Sequence, residues 1–206
     1  MKRILVYGDS NTWGSTADDT RIADADQWTN ILQEKLGNDY FVIQNGVCGR
    51  SAGDYEATDK THYNGQAPFE VILRAAAPVD YIFILLGTND IKARYNKSAS
   101  EILENIRWYE KWVDEAVASS RRFENKIPKP AFVYIVPAKI VVGKNPYGTE
   151  HEELLRQELA ELMVRDLDKT IVLGEVDMSE DGVHYSIDGH KQVAEKVYGK
   201  CKELGV

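Results

Sequence analysis

The chain has 206 residues, enough for a real core and a pocket within one domain, and carries 25 Lys and Arg against 33 Asp and Glu. A net charge of −8 with no stretch rich in Lys and Arg excludes a basic nucleic-acid footprint and a polybasic membrane patch. Two cysteines, Cys48 and Cys201, are too few for a disulfide-rich secreted scaffold, and no apolar run approaches the ~18 residues of a membrane span. The apolar run after Arg3 is shorter than the ~7 residues of a signal-peptide core, so a reducing cytoplasm is the expected compartment.

In chain order, an apolar run over residues 3–7 predicts a first strand, followed at once by Gly8-Asp9-Ser10-Asn11-Thr12-Trp13-Gly14. Residues 14–26 read as loop. A second strand is expected over 41–44, and Asn45-Gly46-Val47-Cys48-Gly49-Arg50-Ser51 follows it. Pro68 and Pro78 bracket a helix over 69–77. Tyr81-Ile82-Phe83-Ile84-Leu85-Leu86 shows no polar alternation, as expected of a strand buried on both faces of a parallel sheet. Gly87-Thr88-Asn89-Asp90 comes next. Ser98-Ala99-Ser100-Glu101 reads as a capping box, opening a helix with Ile102, Ile106, Tyr109, Val113 and Val117 on one face. After a loop over 126–130, a fourth strand is expected at 131–136, then Pro137-Ala138-Lys139 and a loop over 142–148. Thr149-Glu150-His151-Glu152 is a second capping box, leading into Leu154, Leu155, Leu159, Leu162 and Met163. A fifth strand over 170–173 gives way to Gly174-Glu175-Val176-Asp177 and Asp181-Gly182-Val183-His184. The last helix sets Val193, Val197, Cys201 and Leu204 on one face. Repeated strand and helix without linker or internal repeat imply one α/β domain, residues 1–206, with a mostly parallel sheet.

Ligands bind such sheets beyond the carboxyl ends of the strands. There this chain offers a hydroxyl, an imidazole, a carboxylate and several donors, a set sufficient for acyl transfer. Ser10 follows a buried strand directly, although Gly8-Asp9-Ser10 also reads as a polar turn capping a helix. An Asp three residues before a His occurs twice, at Asp181–His184 and at Asp59–His62. Only the first lies at a strand's carboxyl edge, so His184 is the best base. His151 and His190 fall at helix starts and read as surface or cap residues. Asn89 is either a turn residue or an amide donor, and Gly49 either a turn glycine or a backbone donor open to close approach. A competing pattern, Gly49-Arg50-Ser51-Ala52-Gly53, matches the nucleophile elbow G-x-S-x-G but does not sit in a tight strand-to-helix turn.

Four blocks in order, Gly8-Asp9-Ser10, Asn45 to Arg50, Gly87-Thr88-Asn89-Asp90 and Asp181-Gly182-Val183-His184, resemble the SGNH (GDSL-type) hydrolase family. The resemblance implies a three-layer α/β/α flavodoxin-like fold with a five-stranded parallel sheet, and ester hydrolysis without metal or cofactor. It makes Ser10 the nucleophile, His184 the general base and Asp181 its orienting partner. The backbone N–H groups of Ser10 and Gly49 and the Asn89 amide then form the oxyanion hole. Asn11 departs from the family pattern, where leucine usually follows the serine, and is expected to affect pocket or packing. The first two blocks look most like arylesterase-type or carbohydrate-esterase-type members acting on short acyl groups such as acetyl. Trp13 is the expected substrate-binding residue, and the partner a small-molecule ester. The alternatives are a lysophospholipase or thioesterase type of acylhydrolase and, in a different class, a non-catalytic flavodoxin-like binding module. Activity is expected to rise with pH through the ordinary imidazole range, ~6.5. Trp108 and Trp112 point away from the apolar stripe of their helix, which leaves open a homo-oligomer interface or packing against a neighbouring loop.

Overall fold

The computed structural model describes residues 1–55, 63–119, 129–144 and 148–206. Side chains alternate across a strand, and in the central strands both sets are apolar. In β1 (Lys2–Gly8), Leu5 and Tyr7 enter one core while Ile4 and Val6 enter the other. In β3 (Tyr81–Leu85), Ile82 and Ile84 face the first core and Phe83 and Leu85 the second. β4 (Ala131–Val136) divides in the same way, Phe132 and Tyr134 against Val133 and Ile135. That double burial is why the sequence shows continuous apolar runs and no alternation. With β2 (Tyr40–Gly46) and β5 (Thr170–Val172) at the edges, the five strands run parallel in the order β2-β1-β3-β4-β5.

Helices cover both faces. The first core is closed by α3 (Phe69–Ala76), α4 (Ala99–Ser119) and α5 (Glu150–Asp166), the second by α2 (Trp28–Leu36) and α6 (Ile187–Leu204). This is the three-layer, five-stranded fold expected from sequence. Because β1 lies between β2 and β3, the connections from β1 and β3 leave in opposite directions. A crevice opens there, beyond their carboxyl ends. Into it run the segments after β1 and β3, Ser10 in the short helix α1 (Ser10–Trp13) and Asn89 in the turn following β3.

Both capping boxes form. Ser98 Oγ accepts from Glu101 N at 3.3 Å while Glu101 Oε2 accepts from Ser98 N at 3.0 Å. Thr149 and Glu152 exchange the equivalent bonds at 3.2 and 3.0 Å. The start of α2 carries no such local signal. Gln27 makes no side-chain cap, and the Trp28 N–H is accepted instead by His190 Nδ1, 3.3 Å away and 162 residues on in sequence. His190 is therefore no surface residue: it is fully buried in α6, capping a different helix.

Two further expectations change. Leu154, placed on the core face of α5, is 63% exposed, whereas Glu153 and Arg156 are buried as an ion pair of 2.7 Å. Glu153 also accepts from Ile140 N at 3.1 Å and Arg156 donates to Pro137 O at 3.3 Å, so α5 uses charge to hold the segment after β4. Trp108 and Trp112 do not stand clear on a polar face. Half-buried, they stack at 6.2 Å and meet the Phe69 ring edge-on at 6.3 and 5.8 Å, covering the start of α3. No helix among the described residues is long and apolar enough to cross a membrane.

Candidate active site

The turn after β1 is held by its own polar groups. Asp9 caps α1, its carboxylate accepting from Asn11 N at 3.0 Å, and Ser10 O accepts from Gly14 N at 2.9 Å. Ser10 Oγ lies 3.0 Å from His184 Nε2, and His184 Nδ1 lies 2.6 Å from Asp181 Oδ2. The three side chains thus form one hydrogen-bonded line joining the two ends of the chain. The second oxygen of Asp181 accepts from Val183 N at 2.9 Å and His184 N at 3.0 Å, with Ser179 Oγ 3.1 Å away. Partial burial pushes the Asp181 carboxyl up, but these bonds and the contact with His184 outweigh it and hold it below the usual carboxylate range. Asp181 is therefore an anion at neutral pH.

On the other side of Ser10 stand Gly49 and Asn89. Gly49 has φ +78°, and a Cβ there would run into the Tyr63 ring, so this position needs glycine on two counts. Asn89 Nδ2 donates to Arg50 O at 3.0 Å, and Lys92 Nζ donates to Asn89 Oδ1 at 2.7 Å. An ammonium can only donate, so Lys92 fixes which end of the Asn89 amide is oxygen and turns its NH₂ toward the Gly49–Arg50 segment. Arg50 is buried under that segment. Its guanidinium donates to Gly8 O at 2.9 Å, Asn45 O at 2.7 Å and Asn45 Oδ1 at 3.0 Å, with Cζ 3.9 Å from the Tyr7 ring centre. It ties the carboxyl ends of β1 and β2 together and lays a cation beneath the site. Burial also pushes two carboxyls, Asp9 and Asp90, up to about 6; Asp90 accepts from Ala52 N at 2.8 Å and Tyr55 Oη at 2.7 Å.

A cavity of about 480 Å³ opens over Ser10, with Gly49, Asn89, Asp181 and His184 all in its wall. The rest of the wall is mostly polar, with Ser15, Asp19, Thr88, Lys92 and Arg94 beside Ala17, Cys48, Tyr63 and Val183. Trp13 is not part of it. Its half-buried ring lies under the Arg21 guanidinium, 5.5 Å away. Ser51 is buried, its hydroxyl donating toward the Gly53 and Tyr63 carbonyls, 2.8 Å from each, and bonded to no imidazole among the described residues, so the elbow pattern reads as a structural turn. His151 is exposed on α5. Asp59 and His62 lie outside the described residues.

Sequence reasoning passed over Lys92, Arg50 and Ser179. Lys92, three residues after Asn89 in one turn, was the most legible of them. No group of three or more His, Cys, Asp or Glu among the described residues is placed to hold a metal.

A parallel five-stranded α/β/α fold with Ser, His and Asp in line at its switch point, facing an Asn and a Gly, is the architecture of the SGNH-type hydrolases. The GDSL-like lipase/acylhydrolase family matches residues 6–192, and the chain belongs to that family, among the hydrolases of ester bonds. The structure is similar to the native aryl esterase of M. smegmatis, with 26% identity and a TM-score of 0.84, covering 99% of this chain and 100% of that one. It is also similar to a carbohydrate acetylesterase family member from Sinorhizobium meliloti, with 26% identity and a TM-score of 0.82, each chain covered in full at 100%. An uncharacterized lipoprotein of Bacillus subtilis (strain 168), YqeF, is 31% identical over 87 residues; the match spans 42% of this chain and 31% of that protein's length.

Proposed function

We propose that the protein hydrolyses small short-chain acyl esters, acetyl esters first among them, through an acyl-enzyme on Ser10. Ser10 Oγ attacks the ester carbonyl carbon while His184 Nε2 takes its proton, and Asp181 holds the opposite ring nitrogen as N–H and faces the imidazolium with a carboxylate. The tetrahedral oxyanion is received by the Ser10 and Gly49 N–H groups and the Asn89 amide. The C–O bond to the alcohol then breaks, the alkoxide takes the proton from His184, and the acyl group stays on Ser10. Water attacks the acyl-enzyme with His184 again as base, releasing the acid and restoring the serine.

The observation that carries this reading is the unbroken line Ser10–His184–Asp181 at 3.0 and 2.6 Å. The polar wall of the cavity supports a short acyl group on a polar or aromatic alcohol over the long apolar chain of a lysophospholipid or thioester. Likeness to an aryl esterase and a carbohydrate acetylesterase points the same way. A non-catalytic flavodoxin-like module would have no use for that line. We further place the reaction in a single domain and a reducing compartment, supported by one sheet joining β1 to β5 and by the free thiols of Cys48 and Cys201.

A panel of p-nitrophenyl esters graded by acyl length, run beside acetylated sugars, tests the substrate reading. The expected result is a kcat/KM highest for acetyl and falling as the chain lengthens. A maximum at long acyl chains would instead select the lysophospholipase alternative.

A further inference from the structure

Asn11 stands beside Ser10 yet touches no open space: it is 2% exposed and absent from the cavity wall. Its side chain reaches across to the segment that carries His184. Asn11 Nδ2 donates to Val183 O at 3.1 Å, and Asn11 Oδ1 accepts from Tyr185 N at 3.1 Å. These are the peptide groups on either side of His184, gripped by one carboxamide as a strand neighbour would grip them. The same residue's backbone oxygen accepts from Trp28 Nε1 at 3.2 Å, which anchors the clamp to α2. His184 is fixed within its own loop by other bonds, its carbonyl accepting from Ser179 N at 2.7 Å and Ser179 Oγ at 2.9 Å. Those bonds shape the loop but do not place it against β1. The Asn11 amide does, from the residue next to Ser10.

We propose that Asn11 is a positioning residue for the reaction: it locks the His184 loop to the Ser10 turn and so sets the Ser10–His184 approach. This rests on the reading of Ser10 and His184 given above. The chemistry of the position is specific, because the two peptide groups present one donor and one acceptor. A carboxamide matches both, a carboxylate accepts only, and a leucine of the same branched outline offers neither. Displacing a base by a fraction of an ångström to an ångström is enough to affect the proton transfer while leaving the cavity that receives substrate in place.

The test is a double-mutant cycle of Asn11→Leu with His184→Ala, read as kcat and KM for p-nitrophenyl acetate, with circular dichroism to establish folding. Asn11→Leu alone is expected to lower kcat on the order of 10–10²-fold, with KM within about threefold of the parent. In the His184→Ala background the same substitution should cost nothing further, since the group it positions is gone. Asn11→Asp, which keeps the bond from Tyr185 N but sets an oxygen against Val183 O, should fall with the leucine variant. It carries the test if that variant does not fold. A folded Asn11 variant with parental kcat overturns the proposal, as does an equal loss in the His184→Ala background. Failure of both variants to fold at neutral pH also overturns it, placing the amide's role in stability alone. High activity retained by His184→Ala itself would overturn the underlying site reading instead.

Discussion

Asp181→Asn is a near-isosteric change whose consequence follows from the hydrogen bonds around it. The oxygen that accepts from Val183 N at 2.9 Å and His184 N at 3.0 Å must remain an oxygen, because both partners are backbone donors. The amide nitrogen is therefore forced into the other position, 2.6 Å from His184 Nδ1 in the parent. As a donor it can be met only by an unprotonated Nδ1, which moves the imidazole's single proton to Nε2. An Nε2–H aimed at Ser10 Oγ donates to it and cannot accept its proton. The fold and cavity persist, yet the base is lost. The comparable change in a serine protease lowers kcat by about 10⁴, or about 5.4 kcal/mol at 1.36 kcal/mol per tenfold, and a loss of that order is expected here. Initial rates of p-nitrophenyl acetate hydrolysis, with the folded fraction followed by circular dichroism, would measure it. A folded Asp181→Asn enzyme within about tenfold of the parent would refute the tautomer reasoning.

Asn89→Ala removes the side-chain donor facing Gly49 and should lower kcat by on the order of 10²–10³ with a smaller change in KM; a loss confined to KM would move Asn89 out of the oxyanion hole. Lys92→Met leaves the Asn89 amide without the ammonium at its oxygen, and about a tenfold fall in kcat is expected, less than for losing the donor itself. Burial holds the Lys92 ammonium below the ordinary lysine range, so the parent should lose activity as alkaline pH strips that proton, an alkaline limb the methionine variant should lack. His190, pushed down to about 4 by burial, stays neutral in the fold while the unfolded chain takes up a proton near ~6.5. Stability is therefore lost as pH falls from ~6.5 to ~4, by about 3 kcal/mol, and His190→Phe should flatten that part of the urea-unfolding profile. Asp9 and Asp90, raised to about 6, act with the opposite sign in both proteins, so the difference between them isolates the histidine.

The sheet was legible because its central strands are buried on both faces, which leaves unbroken apolar runs whose ends fall within a residue or two of the observed strands. The starts of α4 and α5 were legible because their caps are local, Ser98 with Glu101 and Thr149 with Glu152. The start of α2 was not, since its first N–H is satisfied by His190 from α6. The same difference runs through the site. Ser10, Gly49, Asn89, Asp181 and His184 each follow a strand and could be found by position and motif. The bonds that aim them could not. Asn11 meets Val183 and Tyr185 across 172 and 174 residues, and Arg50 meets Gly8 across 42. Pattern favours Leu154 for the core over Glu153 and Arg156, because nothing in a periodic stripe announces that an ion pair will be buried in its place.

The central proposal is a covalent intermediate on Ser10, and mass spectrometry of enzyme quenched during turnover of p-nitrophenyl acetate reads it directly. One acetyl group should appear on the peptide containing Ser10, decay as substrate is exhausted, and be missing in Ser10→Ala together with nearly all activity, while Ser51→Ala retains both. An acetylated Ser51 peptide, or full turnover by Ser10→Ala, would contradict it.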